Sequence, residues 1–457
     1  MVTPKKPHVA IFAFPFGTHA APLLSLSHRL AANAADASFS FFSTPKSNGS
    51  ISSIVAASGP LPNLKFYDVS DGLPENYVPL GNPLEAIERF LKATPGNFAE
   101  ALEAVVKEIG EVTCVLTDSF LWFAADMAEE RGVPWVPVWT SGSFSLAAHF
   151  YTELLRRKLG TGPDVVATRR DEPLDFVPGY SAMRVCDLPE GVVFGDLNSL
   201  FSSLLHRMGK QLTRGRAVAI NTFNGLDSTN LNDLKSKLPT CLPVGPLYLM
   251  SPLLQQTDPH ASLTWLDRFT HHPSSVTYIS FSSMMTPPPA ELVALAEGLE
   301  ASGTPFLWSL PEKAREMLPA GFLDRTAGRG LVVPWTPQPA VLCHVAVGAF
   351  VTHCGWNSLL ESITGSVPMI CRPLFGDQML NARMVSHVWR IGMVVDGGVL
   401  TRDRVVGSIE LVLRKDEGKG MRERARALSE MAKEAVGNGG SSVESFNKLL
   451  EIIVSGR

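Results

Sequence analysis

The fold of this chain is indicated best by one stretch, Val347-Gly-Ala-Phe-Val-Thr-His-Cys-Gly-Trp-Asn-Ser-Leu-Leu-Glu361. Its apolar first half predicts a buried strand, and its second half predicts the opening of a helix. Exposed backbone N–H groups and the helix dipole make such a helix start suitable for a phosphate, and Gly355 lets the backbone approach closely. The alternative is that Ser358 and Glu361 form only a capping box.

The same alternation of short apolar runs and helix-like stretches continues along the whole chain. In the second half, strands are predicted over 276–282, 305–309, 331–334, 347–352 and 368–371. In the first half, strands are predicted over 8–14, 39–44, 64–69, 113–118, 135–140 and 217–222, and one long helix over 84–109. Strands that alternate with helices are typical of parallel sheets covered by helices. The predicted fold class is therefore α/β, with two doubly wound parallel-sheet domains and a cleft between them.

The predicted domain division follows from composition. Prolines are dense and periodicity is weak over 239–273, which predicts an interdomain linker there. We therefore expect a first domain over 1–238 and a second domain over 274–435. A terminal helix over 436–457 would be free to pack back on the first domain.

A histidine and a carboxylate follow two strands that should be neighbours. In the common strand order 3-2-1-4-5, strands one and four lie side by side where ligands bind. Strand one leads to His19 and strand four ends at Asp118, so the two side chains should meet. A carboxylate that orients an imidazole makes a general base for a hydroxyl. The alternative is that each residue only caps the helix that follows it.

Composition and charge exclude several classes of protein. The chain has 457 residues, a formal net charge of -4 and no basic block, which argues against nucleic-acid partners. The six cysteines contain no C-x-x-C pair, so neither a zinc site nor a redox motif is indicated. No stretch has the composition of a signal peptide or a membrane span. We expect a reduced, cytoplasmic protein without membrane insertion.

A longer motif resembles a known family. The stretch from Trp335-Thr-Pro-Gln338 through the helix start to Asp377-Gln378 is similar, without a gap, to the signature of plant secondary-product glycosyltransferases, the family 1 UDP-glycosyltransferases. Outside it, Phe14-Pro-Phe-Gly-Thr-His-Ala-Ala-Pro22 and Asn198-Ser-Leu-Phe201 resemble flavonoid and anthocyanidin 3-O-glucosyltransferases. The resemblance implies the GT-B fold, with two Rossmann-like domains that bind the acceptor in the first domain and the UDP-sugar in the second.

The resemblance also implies roles for donor-binding residues. Trp335 and Thr336 would line the uracil site, with the indole stacked on the base. Gln338 and Glu361 would hold the ribose hydroxyls. The diphosphate would be contacted by one set of residues near the helix start: His353, Asn357, Ser358, Thr18 and Ser283. The sugar hydroxyls would be hydrogen-bonded by Trp356, Asp377 and Gln378, and the last of these, with Trp356, points to glucose.

For the acceptor, the resemblance implies a pocket around a flat polyphenol. Its residues would be Phe14, Phe16, Leu84, Phe120, Thr140, His149, Phe201 and Phe375. Each phenylalanine taken alone is more simply explained as ordinary core. Two departures from relatives are Ser282, where most carry glycine near the phosphates, and Leu84, where some carry a glutamine that meets ring hydroxyls.

These residues lead to an expected reaction. We expect inverting transfer of glucose from UDP-glucose to a hydroxyl, the 3-OH, of a flavonol or anthocyanidin, with His19 as base and Asp118 as its orienting partner. No Asp-x-Asp stands at the phosphate site, so neither a metal nor another cofactor is expected, and we expect a monomer. The alternatives are galactose as the sugar, another phenolic or terpenoid acceptor, and a non-catalytic sugar-nucleotide-binding protein.

Two other nucleotide-binding classes fail on sequence. A dehydrogenase of this fold class needs a Gly-x-Gly-x-x-Gly turn after strand one, where this chain has Phe14-Pro-Phe-Gly-Thr-His19. A nucleoside triphosphatase needs a Gly-x-x-x-x-Gly-Lys-Ser/Thr loop, which the sequence also lacks.

Overall fold

The structure is a computed structural model that describes residues 6–59, 61–74, 77, 83–250, 257–281 and 286–455, without the side chains of 52–58 and 83–84. Within these residues the strands form two parallel sheets, of seven and six strands. The first sheet contains β1 His8–Phe12, β2 Ser38–Ser43, β3 Leu64–Asp68, β4 Cys114–Asp118, β5 Trp135–Trp139, β6 Val218–Ile220 and β7 Cys241–Pro243. The second contains β8 Val276–Ser280, β9 Phe306–Ser309, β10 Gly330–Val333, β11 Val347–Thr352, β12 Met369–Cys371 and β13 Gly392–Val394.

Both sheets have the doubly wound strand order. The first runs β3-β2-β1-β4-β5-β6-β7 and the second β10-β9-β8-β11-β12-β13. The predicted order is therefore confirmed, and β1–β4 and β8–β11 are the neighbouring pairs at the two switch points. Every residue of β1, β4, β5 and β11 is buried. This explains why central strands covered on both faces are visible as continuous apolar runs in the sequence.

Helices cover both faces of each sheet. In the first half they are α1 Ala20–Ala32, α2 Pro45–Ser58, α3 Pro83–Ala93, α4 Gly96–Ile109, α5 Ala124–Glu130, α6 Ser143–Phe150, α7 Thr152–Leu159, α8 Pro163–Arg169, α9 Leu200–Gln211 and α10 Ser228–Lys237. In the second half they are α11 Ser262–Asp267, α12 Pro289–Ser302, α13 Glu312–Arg315, α14 Phe322–Thr326, α15 Gln338–Leu342, α16 Trp356–Thr364, α17 Gln378–Arg383, α18 Arg402–Arg414, α19 Asp416–Val436 and α20 Ser441–Ser455.

Two predictions about these elements are wrong in detail. The single helix predicted over 84–109 is two helices, α3 and α4, because Pro95 has no N–H to continue the helical hydrogen bonds. The linker predicted over 239–273 begins too early, since β7 lies inside it and pairs with β6 in the first sheet. A strand this short, which ends in Pro243 at the sheet edge, carries no periodicity that a sequence pattern can reveal.

The terminal helix α20 returns to the first domain. Phe446, Leu449 and Ile453 are buried in the same core cluster as Val9 and Ile11 of β1. The Ser442 hydroxyl donates to the Gly245 carbonyl at 2.6 Å, and the Arg29 guanidinium lies over the Phe446 ring. The last helix therefore ties the end of the chain to the first sheet. The largest core cluster also runs from one domain into the other.

Candidate active site

The pairing of β1 with β4 places His19 beside Asp118. His19 Nδ1 lies 2.8 Å from Asp118 Oδ2. The other carboxylate oxygen accepts the Phe120 N–H at 2.9 Å, so Asp118 is held at both ends. Thr140 directly follows β5, and its Oγ1 lies 3.2 Å from the same imidazole nitrogen. Asp118 is buried, whereas a quarter of the His19 side chain is exposed to the cleft.

The surroundings of His19 fit a base. Burial alone would lower the pKa of this imidazole, but the charge and hydrogen bond of Asp118, with a smaller contribution from Asp377, raise it above its ordinary value. The carboxylate binds Nδ1, so Nε2 is the nitrogen left to take a proton from a ligand. The rings of Phe14 and Phe120 pack at 5.3 and 4.5 Å from the imidazole ring centre and fix its orientation.

The turn from β11 to α16 exposes backbone N–H groups. Cys354 adopts φ 67°, a left-handed conformation that is uncommon for a residue with a side chain and marks strain at this turn. The helix is preceded by Gly355, and no side chain caps its first turn. The capping-box alternative is therefore wrong, because Ser358 lies inside the helix. The first N–H groups of α16 remain open to an anion.

A hydrogen-bond network occupies the inner wall beside α16. Gln338 Nε2 donates to Glu361 Oε2 at 2.7 Å and to Ser358 Oγ at 2.9 Å. Gln338 Oε1 accepts from the Tyr278 hydroxyl at 3.1 Å. Burial raises the pKa of the Glu361 carboxyl to about 7, although the bond from Gln338 opposes this. Gln338 thus serves first to orient Glu361 and Ser358.

His353 is held neutral at the bottom of the cleft. Burial lowers the pKa of its imidazole to about 4, so the ring carries no charge at neutral pH. Its Nδ1 is buried without a hydrogen-bond partner among the described residues. A neutral imidazole can offer a ligand one N–H, but it contributes no positive charge toward a phosphate.

Two cavities meet at the start of α16. The first, of about 320 Å³, contains predicted donor residues: Thr18, Trp335, Thr336, Gln338, His353, Asn357, Ser358 and Glu361. The second, of about 220 Å³, contains the predicted base together with sugar and acceptor residues: His19, Phe120, Thr140, His149, Phe201, Trp356, Phe375, Asp377 and Gln378. Both cavities share Thr18, His353 and Asn357, so they are parts of one cleft.

Some of the predicted site residues do not line either cavity, and others are not described by the structure. Phe14 is buried behind the His19 ring, and Phe16 packs beside it, so neither lines the second cavity. Asp118 also lies behind His19. Ser283 and Ser282 are outside the described residues, as is the side chain of Leu84.

The three predicted sugar contacts differ in what they can offer. Gln378 Oε1 accepts the N–H groups of Leu374 and Phe375, at 2.8 and 3.1 Å, which leaves its NH₂ as the group free for a hydroxyl. Asp377 Oδ2 accepts the Ser141 hydroxyl at 2.6 Å, which leaves Oδ1. The Trp356 indole N–H donates to the Asn221 carbonyl at 2.7 Å, so a contact of this residue with the sugar would need its backbone N–H, and its role stays a prediction.

Several residues of the cleft were not predicted from the sequence. Trp139, Ser141, Pro189, Glu190 and Leu205 line the second cavity. Trp139 ends β5 and Ser141 follows it, so the rule that placed Asp118 at the end of β4 would also have found this pair. Pro189 and Glu190 lie in the connection between α8 and α9, where no strand was predicted, and Leu205 lies within α9 itself.

Comparison with known proteins identifies the family. The family model described as UDP-glucoronosyl and UDP-glucosyl transferase matches residues 52–435. The chain belongs to this family. This UDP-glycosyltransferase is 52% identical to an anthocyanidin 3-O-glucosyltransferase of Vitis vinifera over 99% of this chain and 98% of that protein. It is 51% identical to a flavonol 3-O-glucosyltransferase of Arabidopsis thaliana over 98% and 97% of the two chains.

A solved structure has the same architecture. The crystal structure of a UDP-glucose: anthocyanidin 3-O-glucosyltransferase in complex with UDP matches the transferase with a TM-score of 0.91 and 40% identity over 99% of this chain and 100% of that one. The predicted GT-B fold and the predicted family are therefore confirmed. The transferase uses a UDP-sugar as its donor substrate.

The described residues also bear on metal binding and on membrane insertion. Within them, no group of three or more His, Cys, Asp or Glu side chains is arranged to hold a metal ion. None of the helices described there has the length and apolar character that a membrane crossing requires.

Proposed function

We propose that this transferase moves glucose from UDP-glucose to the 3-hydroxyl of a flavonol or anthocyanidin, with inversion at the anomeric carbon. The observation that carries the proposal is the His19–Asp118 pair, 2.8 Å apart, on the wall of a cleft whose other side is the open start of α16. The relatives named above act on these acceptors, which supports the same class here.

The proposed step needs one base and one stabilised leaving group. His19 Nε2 takes the proton of the acceptor hydroxyl, and the oxygen attacks the anomeric carbon while its bond to the UDP oxygen breaks. UDP leaves with the electron pair. The first N–H groups of α16, with Asn357 and Ser358, would meet its negative charge, so we propose that no metal is required. Asp118 stabilises the imidazolium that forms.

Glucose as the sugar is supported by the free groups in the second cavity. The Gln378 NH₂ donates and Asp377 Oδ1 accepts, which together suit two neighbouring hydroxyls of one sugar. The acceptor class is supported by the apolar walls and by His149, whose pKa burial lowers to about 4, so that a neutral imidazole faces the ring hydroxyls. We also propose that the protein acts as a cytoplasmic monomer, since one chain supplies both walls of the cleft.

Product analysis tests this function. The purified protein is incubated with UDP-glucose and a flavonol, and the product is analysed by mass spectrometry for one added hexose and by NMR for the linked oxygen and the anomer. A β-3-O-glucoside supports the proposal, because UDP-glucose is an α-anomer. Faster transfer from UDP-galactose would contradict the role of Gln378. Binding of UDP-glucose without any transfer to a panel of phenols would favour a sugar-nucleotide-binding protein.

A further inference from the structure

Asn221 lies between the two halves of the cleft and has no role in the steps above. It follows β6 in the first domain, and its side chain is 2% exposed. Each of its backbone and side-chain polar groups has a partner. Its N–H donates to the Trp139 carbonyl at 2.9 Å, and its own carbonyl accepts the Trp356 indole N–H at 2.7 Å. It thus joins the end of β5 to the start of α16.

The side-chain amide extends the same connection to both functional groups. Nδ2 donates to the Thr140 carbonyl at 3.1 Å, and the Thr140 hydroxyl lies 3.2 Å from His19 Nδ1. The same Nδ2 lies 3.4 Å from Asn357 Oδ1, in the first turn of α16. Because Asn357 Oδ1 accepts this hydrogen bond, the NH₂ of the same amide points away from Asn221. The contact with Asn221 therefore leaves the Asn357 NH₂ as the end of that amide that can donate to a ligand.

The third contact of this side chain reaches the connection between the domains. Asn221 Oδ1 accepts the Leu247 N–H at 3.0 Å, just after Gly245 and Pro246. A β-carbon at Gly245 would lie 2.7 Å from Asn221 Oδ1, so only glycine permits this packing. The Gly245 carbonyl in turn accepts from Ser442 of the last helix.

We propose that Asn221 is a positioning residue that sets the His19 wall of the cleft and the diphosphate wall at one fixed separation. Transfer between two substrates held by different domains depends on that separation, and small misplacements of reacting groups cost up to about 10²-fold in rate. The inference rests on the proposed contact of Asn357 with the diphosphate. It adds that a buried amide outside the binding residues controls that contact.

Asn221→Asp tests the proposal, because it keeps the oxygen that accepts from Leu247 and replaces the NH₂ with an oxygen. That oxygen faces the Thr140 carbonyl and Asn357 Oδ1, so we expect UDP to bind roughly tenfold more weakly by calorimetry. We also expect a lower kcat with UDP-glucose. In the Asn357→Ala background, the effect on UDP affinity should shrink to within about twofold, since the two residues act through one contact.

Asn230→Asp is the matched control. Asn230 is equally buried in the first domain, and its Nδ2 donates to the Pro178 carbonyl at 3.2 Å, away from the cleft. We expect this variant to lose thermal stability but to bind UDP as the parent does. If Asn221→Asp binds UDP normally, or if its effect adds fully to that of Asn357→Ala, Asn221 has only a structural role.

A second pair of variants keeps the test decisive if Asn221→Asp does not fold. Trp356→Phe removes the indole N–H that reaches the Asn221 carbonyl, together with part of the ring. Trp389→Phe loses the same atoms and a similar bond, 2.9 Å long, to the Leu226 carbonyl at the domain contact away from the cleft. We expect weaker UDP binding in the first variant alone, and equal binding in both would overturn the proposal. UDP affinity is measured without turnover, so the result does not depend on whether His19 is the base.

Discussion

The backbone of Gly142, in the first domain, lies against the ring of Trp356, in the second, so closely that a β-carbon at Gly142 would lie 2.6 Å from two ring atoms. Gly142 precedes α6, and Trp356 is the first residue of α16. The indole N–H is also bonded to Asn221 across the domain boundary. The two walls of the cleft can therefore lie this close together only because Gly142 has no side chain.

Gly142→Ala should hold the walls apart, because a new methyl group meets a ring that cannot move without breaking its hydrogen bond. We expect kcat/KM to fall by about 10²-fold, since the base and the donor are misplaced. Initial-rate kinetics with UDP-glucose measure this. Gly96→Ala is the control, because a β-carbon at Gly96 meets nothing within 4 Å. Unchanged kcat/KM in Gly142→Ala would show that the cleft tolerates a wider separation.

His19→Ala should remove the base without disturbing the donor site. General base catalysis contributes typically ~10²–10⁴-fold, so kcat should fall by about that factor. UDP affinity, measured by calorimetry, should stay within about twofold, because His19 is not among the residues around the nucleotide cavity. His206→Ala is the control, since His206 also pairs with a carboxylate, Glu153, at 2.6 Å, but outside the cleft. Parent-like turnover in His19→Ala would exclude it as the base.

Asp118→Asn should change the pH dependence of the reaction as well as its rate. The base works in its neutral form, so the rate rises as the pH passes upward through the pKa of His19. Asp118 raises that pKa, and its removal leaves the lowering effect of burial. The rising limb of the kcat/KM profile should therefore move to lower pH while the maximal rate falls. A limb that stays in place would mean that another group titrates there.

The sequence alone predicted which residues meet wherever one physical rule determined their positions. Ends of adjacent parallel strands must meet, so His19 and Asp118 could be paired although 99 positions separate them. Contacts between the domains could not be predicted in this way. The bond from Trp356 to the Asn221 carbonyl depends on how two separately folded sheets dock, and no periodicity encodes that docking.

The resemblance named residues for the cleft, but not which of their atoms would meet a ligand. Gln338 and Gln378 both line the cleft, and their neighbours determine which end of each side-chain amide is free for a ligand. For Gln338 the NH₂ is engaged by Glu361 and Ser358. For Gln378 the oxygen is engaged by backbone N–H groups. Whether each glutamine donates to a ligand or accepts from it follows only from the geometry, because a side-chain amide can do either.

Glu361 should make nucleoside binding depend on pH. Its pKa is raised to about 7 by burial, whereas a ribose diol that donates to the carboxylate favours the ionised form. Binding should therefore release a proton, and uridine affinity should rise roughly tenfold between pH 6 and pH 8. Uridine is the ligand to use, because it has no phosphate that titrates in this range, and calorimetry in two buffers measures the proton. Glu361→Gln should bind uridine with an affinity that does not depend on pH in this range. His19 still titrates in that variant, so a pH dependence that persists would assign the effect to His19 and not to Glu361.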